Sequence, residues 1–190
     1  MASSGQVAVP GLPELLKDAA LAGEWVLNAS RSTLSLKNKS IWGLVPVNGI
    51  FHQVSGTGTV SPTGDVTGDF TVAAASVDTK NTRRDNHLRS ADFFDSRNYP
   101  DITFTSAQIR VSGAGITVTG MLSVRDRARP VTFDGMAAIH DDGELWLDAA
   151  VRINQADFGL TWNFLGMVSM NTTIAVHAVF ARRYPAANDG

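Results

Sequence analysis

The sequence predicts an all-β fold, an extended eight-stranded antiparallel barrel with an N-terminal helix and a short helix in one connection. Three observations lead there. From Glu24 onward polar and apolar residues alternate with a period of two, the repeat of a strand with one buried face. The alternating runs are long, roughly ten residues, and Gly, Pro and Asp turns join most of them as consecutive hairpins. Two long connections, 76–101 and 154–171, interrupt the pattern and have a composition of their own. One-sided strands close into a sandwich or a barrel, and long consecutive hairpins favour the barrel.

Element by element, Pro13 followed by Glu14 to Leu21, with Gly23 beyond, reads as a short helix, since Pro suits a first turn and Gly an exit. Leu15, Leu16 and Leu21 form its apolar edge, which lies on the body of the domain. Its polar face is not basic, which disfavours a membrane-surface anchor. Residues 33–41 put Leu34 and Leu36 on one face. Residues 46–60 are Gly-rich, and their alternation slips between Phe51 and Val54, which predicts a bulge. A turn at Ser61 to Asp65 leads into a strand carrying Val66, Phe70, Val72 and Ala74. The same parity follows at Ile102/Phe104, Ile116 to Val124, Val131 to Ile139, Leu145 to Ile153 and Ile174 to Phe180.

Length and composition bound the function. A chain of 190 residues is one domain with a sizeable core plus short tails: 1–22, a domain over 23–183, and 184–190. A net charge of -2 argues against nucleic acid, whose phosphates need a basic face. There is no cysteine, so disulfides and thiolate metal sites are excluded. The N-terminus lacks a basic region ahead of an apolar run, and no stretch approaches the ~20 apolar residues that span a bilayer. The expectation is a soluble, cytoplasmic protein with no transmembrane segment.

No catalytic or metal constellation emerges. His52, His87, His140 and His177 form no H-E-x-x-H or H-x-H arrangement, and no metal is expected. No serine sits in G-x-S-x-G, and Gly56 to Val60 lacks the G-K-[ST] of a phosphate loop. An acid–base group of Arg84, Asp85 and His87 would have no nucleophile or metal near it in sequence. No cofactor is called for.

The connection 83–100, RRDNHLRSADFFDSRNYP, reads instead as a lid. Asn81 is a candidate N-cap, and Asp85 and Arg89 have the spacing of a helical ion pair. Leu88, Phe93 and Phe94 are its large apolar residues and should insert into the body. The second connection holds Phe158, Trp162, Phe164, Leu165, Met167 and Met170 with little charge. It either plugs the barrel or lines the mouth of a cavity. Periodicity alone leaves hollow and filled interiors equally open: Gly68, Ala149 and Ala178 leave space, while Phe70, Phe104, Leu122 and Phe133 fill it.

Several strings together resemble a known family. They are Asp78-Thr79-Lys80-Asn81, then Arg84-Asp85-Asn86-His87-Leu88-Arg89-Ser90, Asp92-Phe93-Phe94-Asp95 and Tyr99-Pro100-Asp101-Ile102-Thr103-Phe104. Supporting strings are Gly49-Ile50-Phe51 with Gly56, Gly120 to Arg125 with Arg129-Pro130-Val131, and Asp157-Phe158-Gly159. They are similar to the YceI-like family, lipocalin-like polyisoprenoid-binding proteins, from about Gly23 to Arg183. The resemblance implies a lipocalin-like barrel with an elongated apolar tunnel for an isoprenoid, an isoprenoid quinone or another long lipid, and no catalytic activity. The side chains expected to line that tunnel are Phe51, Phe70, Phe104, Leu122, Phe133, Phe158, Trp162, Phe164 and Met167. The chain departs from the family at Asn28, Arg31, Lys39, Asp126 and Gln155, all polar positions that bear on headgroup preference.

The leading expectation is therefore non-enzymatic binding or carriage of a lipid inside the barrel. The alternatives are an enzyme acting on a lipophilic substrate in the same cavity, for which His52, Asp134 and Arg152 are the candidate groups, and a filled structural or stress-related barrel. A homodimer through open strands or exposed aromatics such as Trp146 is a further expectation.

Overall fold

Alternation is realised as one continuous sheet in a computed structural model that describes residues 11–40, 45–161 and 169–183, with backbone alone at 39, 40 and 45. Its strands are β1 (Gly23–Leu27), β2 (Thr33–Ser40), β3 (Val45–Phe51), β4 (Val54–Val60), β5 (Val66–Ala73) and β6 (Val77–Asp78). They continue with β7 (Asp101–Ser112), β8 (Gly115–Val124), β9 (Arg127–Ile139), β10 (Leu145–Asn154) and β11 (Asn171–Arg182). Every pairing is antiparallel.

These 11 strands act as eight staves, because β1/β2, β3/β4 and β5/β6 are each one long stave with a break. β1 and β2 lie end to end along β11, with Leu27 opposite Phe180 and Thr33 opposite His177. They pair on their other side with β4 and β3. The order runs β1-β4-β5-β7-β8-β9-β10-β11 and returns to β1, so the barrel is closed. Closure removes the free edges that an open sheet would offer to another chain.

Breaks in a ladder orphan backbone groups, and three serine hydroxyls satisfy them here. Between β1 and β2, Ser32 Oγ accepts the Val179 N–H at 3.0 Å and donates to Asn28 O. Between β3 and β4, where the slip at Phe51 to Val54 predicts a bulge, Ser76 Oγ accepts the Gln53 N–H at 3.1 Å. On β7 the register shifts between Ser106 and Gln108, and Ser106 Oγ accepts the Gly68 N–H at 2.7 Å. The staves can therefore kink and curve without losing a hydrogen bond.

Each end is covered differently. At one end sits α1 (Leu12–Lys17), shorter than the sequence suggests. Ala19 at φ 53° turns the chain after it, and Leu21 then enters the core from a loop. Leu16, Leu21, Trp25 and Val60 form the cluster there, and Trp25 Nε1 donates to Leu21 O at 3.0 Å. The opposite end carries α2 (Thr82–Arg89), with Asn81 as N-cap, its side chain accepting the Arg84 N–H at 3.0 Å. Phe51, Val77, Phe93, Phe94, Phe158 and Leu160 belong to the larger cluster beneath it.

Large and small residues alternate where the wall is tightest. Gly120 on β8 is buried with no side chain, and the Phe104 ring occupies the space over it. A Cβ at Gly120 would come within 2.4 Å of both the Phe104 ring and Thr105 O. Gly120→Ala should destabilise the barrel by about 1–3 kcal/mol through overpacking, read as a lowered urea midpoint at unchanged slope.

Candidate functional site

The strands enclose a hollow. A cavity of about 860 Å3 runs inside the barrel, within the range of ~300–1,000 Å3 usual for small-molecule sites. Its wall is built mainly of aliphatic and aromatic side chains from all eight staves. Phe51, Phe70, Phe104, Leu122 and Phe133, all expected from the sequence, stand on it. Phe104 and Phe133 meet at 5.7 Å between ring centroids. Phe158 does not reach the wall. It is buried at 3 % exposure in the core beside it, because Gln155–Phe158 forms a 3-10 turn that points Phe158 into the packing and brings Gln155 and Leu160 to the cavity. Trp162, Phe164 and Met167 lie outside the described residues.

The wall also holds residues that the tunnel assignment passed over. Trp25, Leu34, Leu36, Ile174 and Val176 line it, and so do uncharged polar residues, among them Asn38, Gln155 and Thr172. Parity could have found them: Asn38 continues the inward series Leu34, Leu36, and Thr172 precedes Ile174 and Val176 in the same phase. All three are buried.

The lid is the charged connection, and its charges are used on backbone. Asp85 Oδ1 accepts from Thr79 N at 2.9 Å and from Thr79 Oγ1 at 2.5 Å. Arg84 donates to Thr79 Oγ1 at 2.7 Å and to Thr79 O at 2.8 Å. Arg89 donates to Ala75 O at 2.7 Å and Val77 O at 2.5 Å. The expected Asp85–Arg89 ion pair is thus replaced: each side chain turns to the chain at 75–79, where β6 pairs with β3 on one side only and the other side has no strand to satisfy its backbone groups. Arg125, at φ 56° in the β8–β9 turn, donates to Phe93 O at 3.1 Å and lies over the Tyr99 ring at 5.7 Å. Lys80, at φ 60°, is held by Asp78, which accepts both its N–H and its ammonium at 2.8 Å. That ammonium, the Lys80 N–H and the His52 ring hold the Asp78 carboxyl well below the usual carboxylate range. Held this way, α2 presents Leu88 and the turn after it presents Phe93 and Phe94 to the cavity, with Arg83, Arg84 and His87 at its margin.

The outer surface carries the remaining candidates. His52, Asp134 and Arg152 are exposed and do not line the cavity. Asn28 and Arg31 face outward too. Arg31 bridges Asp142 and Glu144, which raises its pKa through the hydrogen bond to Asp142 first. Trp146, expected to be exposed, is half-buried: His140 stacks on it at 3.9 Å, and the Arg31 guanidinium lies 5.3 Å from its centroid. Among the described residues no group of three or more His, Cys, Asp or Glu could hold a metal ion. No helix among them is long and apolar enough to cross a membrane.

A closed eight-stave barrel with an apolar hollow and this lid invites comparison with known proteins. The YceI-like domain family matches residues 25–180, nearly the whole barrel. The chain belongs to the YceI-like family. Protein YceI of Salmonella arizonae is 31% identical over 137 residues, which cover 67% of this chain and 70% of that protein. Protein YceI of Escherichia coli O6:H1 is 39% identical over 89 residues, and the chain spans only 46% of that relative's length. Among solved structures, Burkholderia cenocepacia BcnA has a TM-score of 0.73 at 24% identity, covering 80% of this chain and 98% of that one. A polyisoprenoid binding domain from Saccharophagus degradans, implicated in plant cell wall breakdown, has a TM-score of 0.67 at 15% identity, covering 84% and 98%. At those identities the likeness shows the fold alone.

If the lid depends on these carboxylate and guanidinium bonds, Asp85→Ala should lower stability by about 1–3 kcal/mol, leaving the buried Thr79 donors unmet. Amide exchange at Thr79 should quicken more than exchange in β8 or β9. Equal changes in both places would place Asp85 in global stability and not in the lid.

Proposed function

We propose that this YceI-like domain binds a long apolar molecule, a polyisoprenoid, an isoprenoid quinone or another lipid, inside the barrel and performs no reaction on it. The observation that carries this is the hollow itself: about 860 Å3 enclosed by a closed barrel and walled mainly by apolar side chains. Removing apolar surface from water is worth ~25 cal/mol per Å2, so an extended tail gains affinity along its whole length without needing a charged contact. A neighbour of the same fold is described as a polyisoprenoid binding domain, which supports the ligand class. Of the groups that an enzymatic reading would use, His52, Asp134 and Arg152 are exposed and do not line the cavity.

Native mass spectrometry of the purified chain, followed by lipid extraction, tests the reading directly. A co-purifying lipid near one per chain, or uptake of an added isoprenoid chain, is the expected result. No uptake of any long-chain probe would overturn it. Phe104→Arg or Phe133→Arg should abolish uptake, since an unpaired charge in the wall carries a penalty of several kcal/mol against an apolar occupant. A folded variant with unchanged affinity would remove these rings from the binding wall.

A further inference from the structure

The polar groups on the cavity wall have a definite chemistry. Asn38, Gln155 and Thr172 come from three adjoining segments at the lid end: the end of β2, the turn after β10 and the start of β11. They meet at one atom. Thr172 Oγ1 accepts from Gln155 Nε2 at 2.6 Å and from Asn38 Nδ2 at 2.9 Å, while Asn38 Nδ2 also reaches Ser169 O at 3.1 Å. Thr172 is 4% exposed and Gln155 8%. Both line the hollow.

That arrangement leaves hydrogen-bonding capacity of both kinds. A hydroxyl that accepts two hydrogen bonds still carries a proton to donate, and a primary amide that donates through nitrogen still carries a carbonyl oxygen. Among the described residues the Thr172 hydroxyl has no acceptor for its proton, and Gln155 Oε1 has no donor. Reversing the Gln155 amide does not alter the sum: its oxygen would then take the Thr172 proton, and its nitrogen and a Thr172 lone pair would remain. Either way the cluster presents both a donor and an acceptor at nearly the same point, with no charge. Buried groups of this kind are costly to leave unpaired, so they select a partner that completes them.

Resting on the binding reading above, we propose that the lipid's head is an uncharged hydroxyl group, a long-chain or polyprenyl alcohol, held between Thr172 and Gln155. A hydroxyl is the smallest group that both donates and accepts, and it fits either amide orientation. A phosphate at this point would be a desolvated anion beside two neutral side chains. The arginines nearest the cavity do not change this: Arg84 is engaged by Thr79, and Arg83 is exposed at the margin. Ser106, the other buried polar side chain on the wall, lies half-way along β7 and serves the Gly68 amide.

The test is a competition series on the purified full chain with four probes of one chain length: geranylgeraniol, its methyl ether, geranylgeranyl phosphate and the parent hydrocarbon. The alcohol should bind about five- to tenfold more tightly than the hydrocarbon, the worth of one net hydrogen bond. The ether should lose most of that advantage, and the phosphate should bind more weakly than the alcohol. Gln155→Leu should erase the alcohol's advantage while leaving hydrocarbon affinity unchanged. Thr172→Val should do the same where it folds, and Ser106→Ala should leave the advantage intact. A phosphate that binds more tightly than the alcohol would overturn the proposal and move the head to Arg83. Loss of the advantage in Ser106→Ala alone would move it to mid-wall. Equal losses for all four probes in Gln155→Leu would reduce Gln155 to a packing role. Hydrocarbon binding with no preference defeats this proposal alone, whereas failure of every probe defeats the lipid-binding reading with it.

Discussion

Everything inside this molecule depends on the pairing of its first strand with its last. Trp25 to Leu27 of β1 lie against Phe180 to Arg182 of β11, and that ladder turns a curved sheet into a vessel. Without it the apolar faces of the staves would have to collapse on one another to escape water. With it the faces are held apart by backbone hydrogen bonds around the ring, and an interior can stay open although its walls are apolar. The hollow is a consequence of closure geometry more than of any single side chain.

Holding a ring of eight staves also requires them to bend, and a bend breaks ladders. Ser32, Ser76 and Ser106 answer this in one way, each placing a hydroxyl where a backbone partner is missing. The lid solves a related problem on a larger scale. The chain from 75 to 79 pairs with the sheet on one side only, through β6 and β3, and Asp85, Arg84 and Arg89 supply the partners that a strand on its other side would have supplied. Charge in this stretch therefore serves order. It fixes the orientation of α2, and through it the placement of Leu88, Phe93 and Phe94 over the cavity.

The wall divides its work along the barrel. Over most of its length it is apolar and non-directional, so an apolar occupant would gain affinity there with the area it buries. At the lid end Asn38, Gln155 and Thr172 add direction without charge. Buried uncharged groups tied to one another set the orientation of an occupant at little desolvation cost, whereas a buried ion would need a partner of its own. The outer surface holds the Arg31 ion pairs and the Trp146 stack, where water screens the charges.

By itself the sequence determined the strands, their inward faces and the lid. A period of two over long runs has one structural solution, and the slip at Phe51 to Val54, the Asn81 cap and the insertion of Phe93 and Phe94 are local statements that local chemistry settles. The five wall residues from Phe51 to Phe133 follow from the same parity. Only the tertiary structure decided that the barrel is hollow, because hollowness depends on which residues face one another across the ring, and parity assigns a face but not an opposite number. It also decided the partners of Asp85 and Arg89, since the groups they meet lie at 75–79, where β6 has a strand on one side only, and no spacing rule records that. Phe158 left the wall for the same reason: a 3-10 turn reset its phase after β10. Asn38 and Thr172 sit between these cases. Their parity was present in the sequence, but their meeting at a single hydroxyl required β2 and β11 to lie side by side.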